Sequence, residues 1–220
     1  MKLPEKQFLT LEQTQSVFDE IDSKFIDISP VAYNPELFDN YKRIFIIGPQ
    51  RSGTTFTSKA IAKTLNFQFV DEEVFGVRDF NKFKTLFKRE NIVVQAPAMT
   101  SKIHVLAGKD DLVVFMSRKW SDIVKSVYKK NGKISNWVFM NTMYEIEKSH
   151  YVSVDQEAGK VFDEVVDKNS YYLNCFYTMW KNLQSKVIPN CFALDYASMS
   201  NHPMWKDKAL RKNFHFKQTS

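Results

Sequence analysis

A loop flanked by glycines is the first stretch of this sequence whose residue types could do chemistry. It reads GPQRSGTT, residues 48–55, and follows the apolar run at 44–47. Glycines at both ends allow a tight turn in which successive backbone N–H groups point to one place, and a helix beginning near Thr54 would add the positive end of its dipole. Arg51 supplies a cation, and Thr54 and Thr55 supply hydroxyl donors. The loop is therefore predicted to hold an anion.

The spacing of the two glycines is that of a Walker A loop, but one residue differs. Thr54 stands where that loop has the lysine that grips the nucleotide. The strong cation left in the loop is Arg51, whose planar guanidinium would contact a bound group through a fork of donors. Two other interpretations stay open, namely a Walker-type NTPase or kinase that has lost its lysine and an ordinary strand-turn-helix without a ligand.

The elements that must position this loop alternate along the chain. We predict an opening helix over 11–28 and then strands and helices in turn through the first 130 residues. This pattern is typical of an α/β fold with a doubly wound, mostly parallel sheet flanked by helices. The predicted strands are 44–47, 67–70, 91–95, 111–117 and 190–196, and the helices between them begin near Thr54 or cover 79–90, 100–108 and 118–132.

Length and composition limit the possible classes of protein. The 220 residues, 44% of them hydrophobic, suffice for one globular domain over 1–220, with a helical insertion around 133–168. The net charge of +6 makes an anionic partner plausible, but the basic residues are spread out and no nucleic-acid-binding signature accompanies them. No apolar stretch is long enough to span a membrane. The only two cysteines lie in apolar settings, which favours buried thiols in a reducing compartment, so we expect a cytoplasmic protein.

The loop and its flanks resemble a known family. PQRSGTTF, residues 49–56, is similar to the 5′-phosphosulfate-binding loop of the sulfotransferases that use 3′-phosphoadenosine 5′-phosphosulfate (PAPS), although Gln50 is inserted between the proline and the arginine. The resemblance covers roughly residues 43–130 and implies a P-loop NTPase-like sulfotransferase fold. The spacing of the motifs is most similar to that of tyrosylprotein sulfotransferases and of bacterial or viral sulfotransferase-like proteins. The matching loop residues are Arg51, Ser52, Gly53, Thr54 and Thr55.

A second pair of residues extends the resemblance. In this family an arginine at the end of a later strand and a serine eight positions further on bind the 3′-phosphate of the cofactor. Arg118 and Ser126 have that spacing, at the predicted junction of a strand with a helix. The position also suits a ligand on general grounds, because doubly wound folds bind ligands at the carboxyl ends of their strands. The resemblance further makes Arg211 and Lys212 candidates for contacts with the 3′-phosphate.

The acidic segment at 71–73 is where the resemblance places a catalytic base. Tyrosylprotein sulfotransferases carry an acidic pair after the loop helix, so Glu73 is the first candidate and Glu72 the second. A charged turn between a strand and a helix is the alternative interpretation of this segment. Cytosolic sulfotransferases use a histidine instead, but Gln95 and Pro97 occupy the corresponding places here.

The function that the resemblance implies is transfer of a sulfuryl group from PAPS to an acceptor hydroxyl or amine, without a metal. Arg51 and the rest of the loop would bind the 5′-phosphate and stabilise the charge that builds up during transfer. The acceptor would be a small molecule, a glycan or a peptide, bound by the variable part at 133–168. The alternatives are a P-loop kinase or NTPase with an atypical loop and a non-catalytic protein that binds an anion or a nucleotide.

Overall fold

The computed structural model describes residues 8–9, 29–48, 51–76, 79–100, 103–119, 122–123, 125–126, 129, 134–135 and 188–207. The chain divides into two compact units. The larger, which we call the sheet unit, contains residues 29–48, 52–117 and 188–220. The other, which we call the second unit, contains residues 1–28, 49–51 and 118–187. The predicted single domain stays a prediction.

A five-stranded parallel sheet forms the centre of the sheet unit. Its order is β3-β4-β2-β5-β7, so the strand that comes first along the chain lies in the middle. All four pairings are parallel, which confirms the predicted mostly parallel α/β sheet. The strands are β2 (Arg43–Ile47), β3 (Gln68–Val70), β4 (Ile92–Gln95), β5 (Asp111–Ser117) and β7 (Cys191–Asp195).

The central strands are apolar because both of their faces are covered. Ile44 and Ile46 belong to the same buried cluster as Ala60 and Ile61 of helix α1 (Thr54–Leu65). Phe45 points to the opposite face of β2, since successive side chains of a strand alternate. There its ring lies 5.6 Å from Phe83, measured between centroids. Helices therefore flank the sheet on both sides, which confirms the predicted doubly wound α/β fold.

Short helices complete the sheet unit. α2 (Glu72–Phe75) and α3 (Phe80–Thr85) follow β3, and α4 (Pro203–Lys206) follows β7. The helix expected over 79–90 is divided into α3 and a 3-10 turn, and the helix expected near 100–108 is only a 3-10 turn. The 3-10 turns are Pro35–Phe38, Leu86–Lys88, Pro97–Met99, Ile103–Val105 and Ala197–Asn201.

A buried ion pair joins the beginnings of two central strands. Arg43 of β2 and Asp111 of β5 are paired in register, and the Arg43 Nε donates to the Asp111 carboxylate. The other carboxylate oxygen of Asp111 accepts from the Gly108 N–H at 2.8 Å. Asp111 is 1% exposed, so its charge depends on these partners.

The described part of the second unit is small. β1 (Phe8–Leu9) pairs with β6 (Ile134–Ser135) in antiparallel orientation. The described residues among 122–129 are helical, as predicted, whereas Arg118 and Lys119, at the start of the helix predicted over 118–132, are not. The predicted helix at 11–28 lies outside the described residues, as does all of the predicted insertion at 133–168 except β6.

Candidate functional site

The turn after β2 is shaped by a glycine that meets the neighbouring strand. Gly48 has φ +128°, and a Cβ placed on it would lie 3.3 Å from both the N and the O of Met116 in β5. Its N–H donates to Thr100 Oγ1 at 3.1 Å, and that buried hydroxyl donates in turn to the carbonyl of Pro97 at 2.7 Å. Thr100 thus fixes the start of the glycine loop to the segment that follows β4, a role that the sequence did not indicate.

The second glycine of the loop begins α1. Gly53 is the N-cap, with φ +104°, and its carbonyl accepts the first helical hydrogen bond, from the Thr57 N–H at 3.0 Å. Thr54, at the position of the Walker lysine, is 4% exposed, whereas Thr55 is exposed. A twelve-residue helix that begins here presents its positive end and its first N–H groups at the loop, which is the usual arrangement for binding a phosphate or a sulfate.

An aromatic ring covers Gly53. Tyr196 follows β7, and its N–H donates to the carbonyl of Ser117 at the end of β5, at 2.8 Å. A Cβ on Gly53 would lie 2.1 Å from Cε2 of Tyr196. The ring of Trp205 meets that of Tyr196 edge-on, with 5.2 Å between centroids. Only a glycine therefore fits between the start of α1 and this aromatic pair.

The second unit brings together three of the predicted cofactor-binding residues. Nε of Arg51 donates to Oγ of Ser126 at 3.1 Å, and Nη1 of Arg118 donates to the backbone carbonyl of Arg51 at 3.0 Å. Arg51 is exposed and has φ +69°, a left-handed conformation that a non-glycine residue adopts at some cost. The guanidinium of Arg51 thus contacts the hydroxyl of Ser126, while the guanidinium of Arg118 contacts the backbone of Arg51. Guanidinium groups are preferred ligands of phosphate and sulfate, so an anion is the kind of ligand that suits this cluster.

The acidic segment divides into three different environments. Asp71 caps α2, and its Oδ1 accepts from the N–H groups of Glu73 and Val74 at 2.9 and 3.3 Å. Glu72 is 4% exposed, and its Oε1 accepts from the Ala98 N–H at 3.0 Å, just after β4. Glu73 is exposed. The carboxylate of Glu72 is therefore buried and hydrogen-bonded to the backbone, whereas Glu73 is exposed to solvent. Both residues stay candidates for the base.

Three further sequence predictions concern the C-terminal basic residues, metal ions and membrane-spanning helices. Arg211 and Lys212 lie outside the described residues. Within the described ranges, no three His, Cys, Asp or Glu side chains lie close enough together to hold a metal ion. Among the helices formed by those same residues, none is long and apolar enough to cross a membrane.

Comparisons with known proteins give similar structures but no family. The sequence matches no family model and no curated protein. A shikimate kinase from Acinetobacter baumannii in complex with shikimate aligns over 83% of this chain and all of its own, with 12% identity and a TM-score of 0.39. A shikimate kinase from Bacteroides thetaiotaomicron aligns over 41% of this chain and 80% of its own, with 18% identity and a TM-score of 0.26. An uncharacterized protein from Eubacterium ventriosum aligns over 70% and 88%, with 14% identity and a TM-score of 0.35.

Proposed function

We propose that the protein is a sulfotransferase that transfers a sulfuryl group from PAPS to an acceptor hydroxyl or amine. The observation that carries the proposal is the pair of hydrogen bonds made by Arg51. Its guanidinium donates to the hydroxyl of Ser126 at 3.1 Å, and its backbone carbonyl accepts from the guanidinium of Arg118 at 3.0 Å. Arg51 is far in sequence from Arg118 and Ser126, and the motif resemblance selected that later pair as ligands of the cofactor. Their proximity is what a shared role in binding phosphate requires.

The residues that would bind the nucleotide suit its charges. Ser52, Thr54, Thr55 and the first N–H groups of α1 would bind the 5′-phosphosulfate, since a helix N-terminus favours an anion. Arg118 and Ser126 would bind the 3′-phosphate and so select against ATP, which has none. When bound, PAPS would supply the activated sulfuryl group.

The acidic segment would handle the proton of the acceptor. Glu73 is exposed and could accept that proton on its carboxylate, whereas the carboxylate of Glu72 already accepts from the backbone of Ala98. We therefore assign the base to Glu73 and give Glu72 the role of fixing α2 to the segment after β4. Arg51 would stabilise the charge that develops on the leaving phosphate, because positioning and electrostatics dominate transfers of this kind.

A P-loop kinase is the second candidate. The glycine loop and the start of α1 could hold the phosphates of ATP, and two of the similar solved structures bear the name of a kinase. Thr54 in place of the Walker lysine counts against this function, because that lysine normally reaches the β- and γ-phosphates.

The test is to ask which nucleotide the protein consumes. The protein is incubated with PAPS or with Mg-ATP in the presence of a phenol, a tyrosyl peptide and an oligosaccharide, and the nucleotide products are separated by anion-exchange chromatography. We expect adenosine 3′,5′-bisphosphate to form from PAPS with at least one acceptor. Glu73→Gln should slow its formation by about 100-fold or more, the usual contribution of a general base.

Lys119→Ala is the matched control, because this exposed cation directly follows Arg118. It should leave turnover nearly unchanged, whereas Arg118→Ala should raise the KM for PAPS. Formation of ADP from Mg-ATP without consumption of PAPS would favour the kinase. Binding of the bisphosphate without turnover of either nucleotide, unaffected by Glu73→Gln, would identify a non-catalytic binding protein.

A further inference from the structure

A cavity of about 500 Å³ opens in the sheet unit at the C-terminal end of α1. Its walls come from the segment before β2, from the last turn of α1 and from the start of α4. This volume falls within the range of about 300–1,000 Å³ that is usual for small-molecule sites. Among the residues that line it are Tyr33, Pro35, Lys63, Thr64, Pro203 and Met204.

The cavity is separate from the loop to which the proposed function assigns the nucleotide. Gly53 lies at the first turn of α1 and Lys63 at the last. At the rise of an α-helix, their separation of ten positions corresponds to about 15 Å. A ligand in this cavity would therefore not occupy the glycine loop.

A buried neutral histidine forms the floor of the cavity. His202 is 3% exposed, and its Nδ1 accepts from the Met204 N–H at 3.1 Å. Because Nδ1 acts as an acceptor, the hydrogen of the neutral ring is on Nε2, which lies 2.9 Å from Oγ1 of Thr64. Burial and the nearby charge of Lys63 lower the pKa of this histidine, which keeps it uncharged at neutral pH.

Two further polar groups of this wall, the hydroxyls of Thr64 and Tyr33, are uncharged and hydrogen-bonded. The hydroxyl of Thr64 donates to the carbonyl of Ala60 at 3.1 Å and accepts from His202. Its other lone pair faces the hydroxyl of Tyr33 at 3.4 Å, and burial raises the pKa of that phenol. Among the described residues that line the cavity, Lys63 is the one lysine or arginine.

We propose that this cavity binds a small organic anion with a flat apolar body. The body would lie against the ring of Tyr33 and the side chains of Pro35, Pro203 and Met204, and the anionic group would face Lys63. A mostly apolar pocket with one cation at its edge favours such a ligand over a cation or a sugar, because a polar body would lose more hydration than the few polar groups of the wall can replace.

The test compares 2-naphthoate with its uncharged analogue 2-naphthamide, each titrated into the full-length protein by calorimetry. We expect 2-naphthoate to bind with a Kd near or below about 1 mM, as a fragment of this size can, and 2-naphthamide to bind severalfold more weakly. Lys63→Gln should weaken binding of the anion to the level of the amide. Lys59→Gln, one turn earlier on α1 and not in the cavity wall, is the matched control and should have no effect.

Two substitutions that fill the cavity complete the test. Pro203 and Asn201 are exposed residues of its wall, so a tryptophan at either position should occupy part of the cavity. Pro203→Trp and Asn201→Trp should each reduce the affinity for 2-naphthoate by about tenfold or more, which is the effect expected when one well-packed ring contact is lost. Circular dichroism shows whether each variant is folded. Absence of binding to the wild type, equal binding of acid and amide, or undiminished binding by both folded tryptophan variants would overturn the proposal. None of these results depends on the nucleotide site.

Discussion

Replacing Gly53 with alanine should destabilise the protein through both the backbone and the aromatic ring that covers it. At φ +104° a residue with a Cβ is strained by about 1–3 kcal/mol. The new methyl group would also lie 2.1 Å from Cε2 and 2.2 Å from Cδ2 of Tyr196, so the ring must move. Losing the edge-on contact with Trp205 adds about 0.5–1.5 kcal/mol. We expect a total loss of about 1.5–4.5 kcal/mol in the free energy of unfolding.

The measurement is urea unfolding followed by circular dichroism, with Gly76→Ala as the control. Gly76 also has a positive φ, of +61°, but a Cβ there would meet only the flexible side chain of Lys82, at 3.4 Å. Its substitution should cost only the backbone strain, about 1–2 kcal/mol.

A double-mutant cycle separates the two contributions at Gly53. In a Tyr196→Ala background the clash is absent, so Gly53→Ala should cost about 1 kcal/mol less than in the wild type. The reasoning is refuted if Gly53→Ala costs no more than Gly76→Ala, or if its cost is the same with and without the ring of Tyr196.

Three further predictions concern other buried groups. Asp111→Asn removes the charge that Arg43 requires and should cost about 3–5 kcal/mol in urea unfolding, whereas a small effect would contradict the pairing. Burial and a nearby lysine lower the pKa of His202, so the unfolded state binds more protons than the folded state. The free energy of unfolding should therefore fall as the pH drops below about 6.5. His202→Asn should flatten the profile of unfolding free energy against pH. Glu72→Ala leaves the N–H of Ala98 without its acceptor and should lower the free energy of unfolding by about 1–3 kcal/mol. Glu73 is exposed, so Glu73→Ala should lower it by about 0.5 kcal/mol or less. Equal effects of the two substitutions would contradict the different burial of the two carboxylates.

The sequence was most informative where local pattern determines structure. The apolar run at 111–117 gave β5 with its exact bounds, because a strand buried on both faces must be continuously apolar. The turn of the glycine loop and the beginning of α1 at Thr54 were also predicted correctly from the sequence. The positive φ values at Gly48 and Gly53 favour glycine, so the two glycines mark the turn. The helix expected near 100–108 was wrong in extent, because the described residues of that range form only the 3-10 turn Ile103–Val105.

Contacts between distant segments were not predictable in the same way. Nothing local indicates that Thr100 accepts from Gly48 or that the ring of Tyr196 covers Gly53. The burial of Glu72 depends on where the segment around Ala98 passes, which the three adjacent acidic residues do not reveal. These features arise from the strand order, in which β4 and β5 lie on either side of β2.

The most direct test of the proposed function is calorimetric titration with adenosine 3′,5′-bisphosphate, ADP and Mg-ATP, on the wild type and on Arg118→Ala. One charged hydrogen bond contributes about 1.5–3 kcal/mol, so we predict that the bisphosphate binds at least about tenfold more tightly than ADP and that Arg118→Ala removes this preference. A preference for Mg-ATP, or a bisphosphate affinity that does not change in Arg118→Ala, would contradict the assignment of Arg118 and Ser126 to a 3′-phosphate and with it the proposed sulfuryl transfer.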